Sequence, residues 1–263
     1  MANRADTRTA GGDPVLHQFA GSHYNEKVRW ALDWRGIPHR RVTWLPGLHA
    51  GAMRRLSGQP STPVLQVGGK AIPGSAAIIE HLERTHADHP LYPAQPTQRS
   101  SALAWQQQWD LQVGPATRTL FFAAALGDLE HISALFAQHK RPLTRRLYRA
   151  TLGMVRPVMA RANRADDPAA ITAARTTVLR ALDDLAPRIN EHDQLVGPSF
   201  TVADLACAAL LLPIVDTDHP LLAPPTAPPA PVTALRAGFA DHPAVAWARR
   251  QYERHRPRTT SAR

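Results

Sequence analysis

The residues most open to chemistry lie in "FAGSHYNEKVRW", residues 19–30. A short apolar run gives way there to small and polar residues, then to a helical pattern, and Ser22 stands at the break. A hydroxyl at such a turn either caps the helix or donates a hydrogen bond to something bound there. No base is evident beside it, so Ser22 reads as a donor and not as a nucleophile. Two further features sit downstream: a Thr62-Pro63 pair opening a strand pattern, and Ser75 opening a helical one. A helix start offers free N–H groups and a dipole to a carboxylate. Thr201-x-x-Asp204 before an apolar run is a capping box, which explains the Asp204 carboxylate without a catalytic role.

Other chemistries find little support. The single cysteine, Cys207, forbids an internal disulfide and any CxxC redox pair, which fits a reducing, cytoplasmic setting. Thirteen histidines raise the question of metals, but there is no HExxH, and His86 and His89 near a helix end make a poor ligand set, so no metal is expected. No Walker loop, GxGxxG or GxSxG is present. The formal charge of +10 invites a nucleic-acid reading. The positive residues are spread along the chain, however, and no nucleic-acid motif accompanies them, so a solvated Arg-rich surface is preferred. The exception is Lys140 to Arg164, with seven arginines and no acid; there Leu143, Leu147, Met154 and Val158 mark an apolar face.

These residues need elements to position them. With 263 residues and 44% hydrophobic content, the chain has material for a sizeable core. No apolar run reaches the ~18 residues of a membrane span, and the start lacks the apolar stretch of a secretory signal. Val15–Phe19 reads as a strand, 23–35 as a helix stopped by Gly36, and 39–44 as a second strand, a β-α-β unit that implies a parallel pair. A loop and short helix follow, then strand, Gly68-Gly69 hairpin turn, strand, and an amphipathic helix over 75–87. The proline-bearing 88–96 reads as a linker. Helices are predicted at 97–126, 128–139, 142–161, 168–190, 201–214 and 242–255, with 219–232 as an extended Pro-rich loop. Residues 1–13 are expected to be a disordered leader and 257–263 a disordered tail.

Five stretches in this order, "SHYNEKVRWAL", "GQPSTPVL", "PGSAAIIEHLE", "GPSFTVADLACAALL" and "FADHPAVAWARRQYERHR", resemble the glutathione S-transferase family of the serine type. The resemblance covers roughly 15–255, although 115–165 match only in being helical. It implies a thioredoxin-like α/β domain over 14–87, the linker, and an all-α domain over 97–256, with the site between them. It further implies a homodimer and, with no other cofactor, glutathione as cosubstrate to a hydrophobic electrophile. Membranes and nucleic acid are not expected as partners. Ser22 would hold the thiolate, with Tyr24 as a competing donor and His23 as a neighbour able to tune the site. Thr62, before a Pro63 that is cis in the family, would pair with the cysteinyl part of glutathione, and Ser75 would take the γ-glutamyl carboxylate. The family usually has an acidic or amide residue before that serine; this chain has Gly74. His49, Gln59, Arg54 and Arg55 are candidates for the glycine carboxylate. Trp105, Gln108 and Trp109, with Gln112 and Val113, would face the sulfur, or else fill the interdomain core. In redox members of the superfamily the turn carries cysteines; Ser22 and Asn25 at those positions disfavour disulfide exchange.

The energetics of the implied reaction are within reach of one hydroxyl. A free thiol has a pKa of about 8.5, and lowering it by roughly two units takes about 2.7 kcal/mol. A hydrogen bond to a charged group gives about 1.5–3 kcal/mol, and a helix N-terminus about 0.3–1 kcal/mol. The alternative reading is a non-catalytic binding or scaffold protein on the same fold.

Overall fold

The structure, a computed structural model, describes residues 13–262. The expected leader therefore falls outside the described residues, Asp13 excepted. Four strands form one mixed sheet: β1 (Val15–Gln18), β2 (Arg40–Thr43), β3 (Val64–Val67) and β4 (Lys70–Pro73), in the order β2-β1-β3-β4. β1 and β2 are parallel, with Val15 opposite Arg40; β1–β3 and β3–β4 are antiparallel, with Leu16 opposite Leu65 and Val64 opposite Pro73. The parallel pair follows from the helical crossover α1 (His23–Trp34), and the antiparallel pair from the Gly68-Gly69 turn, both glycines at positive φ. α2 (Ala50–Ser57) links β2 to β3, and α3 (Ser75–Thr85) closes the domain against α1.

The second domain is helical: α4 (Pro96–Gln108), α5 (Gly114–Ala125), α6 (Leu129–Ala137), α7 (Pro142–Ala162), α8 (Pro168–Leu185), α9 (Val202–Leu210), α10 (Ala230–Ala237) and α11 (Pro243–His255). Among the described residues no helix is long and apolar enough to cross a membrane. The core does not stop at the domain boundary. Leu16, Val28, Trp30, Leu65, Ile78 and Leu82 of the first domain join Trp109, Val178, Leu205, Trp247 and Tyr252 of the second in one buried cluster. α9 runs through its centre, every residue buried. Its start is the capping box read from the sequence: Asp204 accepts from the Thr201 N–H at 2.8 Å and also from the Leu195 N–H at 2.7 Å. Burial pushes the Asp204 carboxyl up to about 6 against these hydrogen bonds, a structural shift and not a catalytic one.

Four expectations need correction. The helix predicted over 97–126 is broken by a π turn at Trp109–Val113, where the Gly114 N–H bonds to the Trp109 carbonyl. The Pro-rich 219–232 contains a short 3-10 turn at Pro220–Leu222 and the first residues of α10, which the sequence reading did not predict. The apolar face assigned to α7 points outward: Leu143, Leu147 and Val158 are exposed and Met154 is 81% exposed, while Tyr148, Leu152 and Met159 face the core. Two apolar stripes run along this helix, and periodicity cannot say which one is buried.

The tail over 257–263, expected to be disordered, is docked over its described part, 257–262. His39 bridges Ala262, and Asp33 accepts from the Ser261 N–H at 2.8 Å and the Thr260 hydroxyl at 3.1 Å. Just before it, the buried Arg256 gives Nε to Glu26 at 2.7 Å and Nη1 to Asp33 at 2.9 Å. Arg29 and Arg41 complete the network on Glu26 and Asp33. Burial alone would raise the Glu26 and Asp33 carboxyls, but the guanidiniums around them outweigh it and hold both below their ordinary values.

Candidate active site

The turn after β1 is pressed against the second domain. A Cβ on Gly21 would lie 2.6 Å from Leu135 Cγ on α6, so a larger residue fits here only if the Leu135 side chain moves. Ser22 follows with extended backbone and caps α1, its Oγ accepting from the Asn25 N–H at 3.4 Å. That bond uses a lone pair and leaves the hydroxyl proton free to be donated. The two reactive-looking neighbours are committed elsewhere. His23 is buried, its Nε2 2.9 Å from the Gly114 carbonyl, and burial, reinforced by the Arg118 charge, holds it neutral with a pKa of about 3. Tyr24 donates its proton to the Asp110 carbonyl at 2.5 Å, and burial, with the Asp110 charge, pushes the phenol well up. Tyr24 is thus not free as the rival donor that the sequence suggested, and no base touches Ser22 Oγ among the described residues.

The contact to α5 needs a glycine. A Cβ on Gly114 would fall 2.6 Å from Tyr24 Cζ. Beside it, the fully buried Lys27 gives Nζ to both oxygens of Asp110 at 2.7 Å. The start of α1 is therefore bolted to the π turn by His23, Tyr24 and Lys27, a set of anchors that sequence reasoning missed.

Thr62 faces the same turn. Asn25 Nδ2 donates to Thr62 Oγ1 at 3.1 Å, while Asn25 Oδ1 is buried without a partner among the described residues. The Thr62-Pro63 peptide is cis. Pro63 is buried behind Thr62, and its carbonyl accepts from the Gly74 N–H at 2.9 Å, which brings the start of α3 to the same end of the sheet. There Gly74 at φ 88° is the N-cap, without a side-chain cap, and Ser75 is the first helical residue, buried rather than capping as an N-cap would. Ser75, Gly74 and Pro63 lie beside the cleft without lining it. His49 lines it, its ring edge-on to Phe19 at 4.5 Å, its Nδ1 buried without a hydrogen bond among the described residues, and burial lowers its pKa. Gln59, Arg54 and Arg55 are exposed and outside the lining.

A cleft of about 960 Å³ opens at this point between the domains. Ser22, Tyr24, His49 and Thr62 form its first-domain wall. Across from it, the tryptophans take the second of the two places expected for them, the core that the two domains share. Trp109 is fully buried in the core, Trp105 packs partly buried against it at 6.5 Å, and Gln108 is exposed; none lines the cleft. The wall comes instead from α5, α6, α7 and the chain after α9, with Phe121, Phe136, Met159 and Leu212 giving an apolar surface. Among these residues stands Arg118, a charge in the otherwise apolar "TLFFAAAL" neighbourhood; that contrast was the available sequence signal.

Residues 16–90 match the family model described as the glutathione S-transferase N-terminal domain. A Caenorhabditis elegans protein named "probable maleylacetoacetate isomerase" is 33% identical over 93 residues, 35% of this chain and 44% of its own length. A glutathione S-transferase from Pseudomonas putida is 26% identical over 112 residues, 43% of this chain and 50% of its own length. The chain thus spans about half the length of the curated relatives it matches. Among solved structures, a Methylobacterium radiotolerans glutathione S-transferase in complex with glutathione sulfonate is 21% identical, with a TM-score of 0.61 over 94% of this chain and 92% of that one. A beta-etherase from Sphingobium is 17% identical, with a TM-score of 0.59 over 90% and 98% of the two chains. At these identities the structures speak for the fold.

Proposed function

Starting from a chain that carries a glutathione S-transferase N-terminal domain and takes the fold of those transferases throughout, we propose that it adds glutathione, or a related small thiol, to an electrophilic small molecule. The observation that carries this reading is Ser22: a hydroxyl with an unspent proton, at the N-terminus of α1, on the wall of a large interdomain cleft. In this reading Ser22 donates to the thiolate. The backbone of Thr62, which makes no backbone hydrogen bond among the described residues, pairs with the peptide. The start of α3 at Ser75 receives the γ-glutamyl carboxylate, and His49 the glycine end. The chemistry is then displacement or conjugate addition by sulfur, with no covalent bond to the protein.

Calorimetric titration with glutathione, followed by conjugation to a model aryl halide, tests the reading. Glutathione binds and turns over, and Ser22→Ala lowers kcat/KM by roughly 10–150-fold, the equivalent of ~1.5–3 kcal/mol. Absence of binding at millimolar glutathione rejects it in favour of a binding or scaffold role. Gly74 favours that second reading, since it places no side chain opposite the glutamyl amine.

A further inference from the structure

We infer that Arg118 anchors a carboxylate on the second substrate, so that the molecule joined to the thiol is an amphipathic acid with an apolar body and an anionic end. The word substrate rests on the function proposed above; the anion site does not. Four arginines line the cleft. Arg29 meets Glu26 at 2.7 Å, Arg41 meets Asp33 at 2.9 Å, and Arg236 meets Asp216 at 3.1 Å. Arg118 meets no carboxylate and makes no hydrogen bond among the described residues, and its Nε is fully buried. The groups close enough to feel its charge, His23 and Tyr24, are both neutral, and the nearby Asp110 carboxylate is held at both oxygens by Lys27.

A half-buried guanidinium whose Nε is shielded from water and meets no counter-charge is costly to keep. A ligand that brings a counter-charge removes that cost, and the planar fork of arginine matches a carboxylate with two parallel bonds. The surroundings define the rest of the ligand. Phe121, Phe136, Met159 and Leu212 offer an apolar bed, suited to an aryl or alkyl body. Arg118 belongs to α5, in the second domain, whereas Ser22, Thr62 and Ser75 belong to the first. In the function proposed above the carboxylates of the tripeptide go to Ser75 and His49, which leaves Arg118 for the second substrate.

The test uses the whole chain and two probes of one shape, 4-phenylbutanoate and 4-phenylbutanamide, titrated without glutathione. In the wild type the acid binds at least about tenfold tighter than the amide. Arg118→Met and Arg118→Gln erase that preference, while the Kd for the amide and, in a separate titration, for glutathione stays within about twofold. The preference holds near pH 8, where histidines are neutral and arginine is not. Equal binding of acid and amide by the wild type, which needs no variant to fold, overturns the proposal. So does a preference that survives both substitutions, one that vanishes near pH 8 and so belongs to a histidine, or a loss of glutathione affinity as large as the loss for the acid. A wild type that prefers the acid through Arg118 yet ignores glutathione keeps the anion site and discards the transferase reading.

Discussion

At the scale of single residues, Ser22 has two duties that substitution separates. Ser22→Ala removes both the cap and the proposed donor, so it lowers stability by about 1 kcal/mol as well as turnover. Ser22→Asp keeps a capping oxygen but has no proton to give and repels a thiolate; it melts within a degree or two of the wild type, roughly the reach of a few tenths of a kcal/mol, and loses conjugation. A variant in which stability and turnover fall together in both substitutions would reduce Ser22 to a cap. His23 provides a pH signature. Its folded pKa lies below the ordinary value, so between about 6.5 and 3 the unfolded chain takes up a proton that the folded one refuses. Its share of stability is complete above that window and is lost as pH falls through it. Urea midpoints of His23→Asn fall less steeply than those of the wild type between neutral pH and pH ~5. Of the residues lining the cleft, Ser22 was legible because it stands at a break between patterns, whereas Thr62 was reached through the family resemblance. Arg118 was legible only as a charge among apolar neighbours, and its meaning depends on which carboxylates fold against the other three arginines.

At the scale of elements, the site is held by two close approaches and one irregular turn. Gly114→Ala drives a methyl into the Tyr24 ring. It destabilises by about 1–3 kcal/mol and shifts the start of α1, so glutathione affinity falls with the melting temperature. Gly21→Ala meets the Leu135 side chain instead; it disturbs the cleft wall with a smaller loss of stability, since the obstacle is a rotatable side chain and not a ring. The β-α-β unit, the hairpin and the capping box were readable because turn and cap chemistry is local. The π turn was not: apolar spacing before and after it fits one straight helix, and no residue type at Trp109–Val113 marks the extra residue. α7 was assigned the wrong face for a related reason. Its two apolar stripes are equivalent on the helix itself, and α6, packed against it, selects the one carrying Tyr148 and Leu152.

At the scale of the molecule, the two domains share one core and one ion network. Glu26 and Asp33 belong to α1, yet their charges are balanced in large part by Arg256, more than two hundred residues later. Arg256→Ala leaves two buried carboxylates short of a partner and lowers stability by roughly 3–5 kcal/mol, read as a drop in urea midpoint. Because both folded carboxyl pKa values lie below the ordinary range, the network's contribution is complete at neutral pH and fades as pH falls through about 4 and below. The variant therefore shows a shallower acid limb than the wild type.

The same network bears on how the protein is made. During synthesis the first domain leaves the ribosome with Glu26 and Asp33 still waiting for a residue not yet translated. Until position 256 is added, Glu26 and Asp33 have only Arg29 and Arg41 of the first domain to answer their charge. The full set of counter-charges is in place only once the last helix has been released.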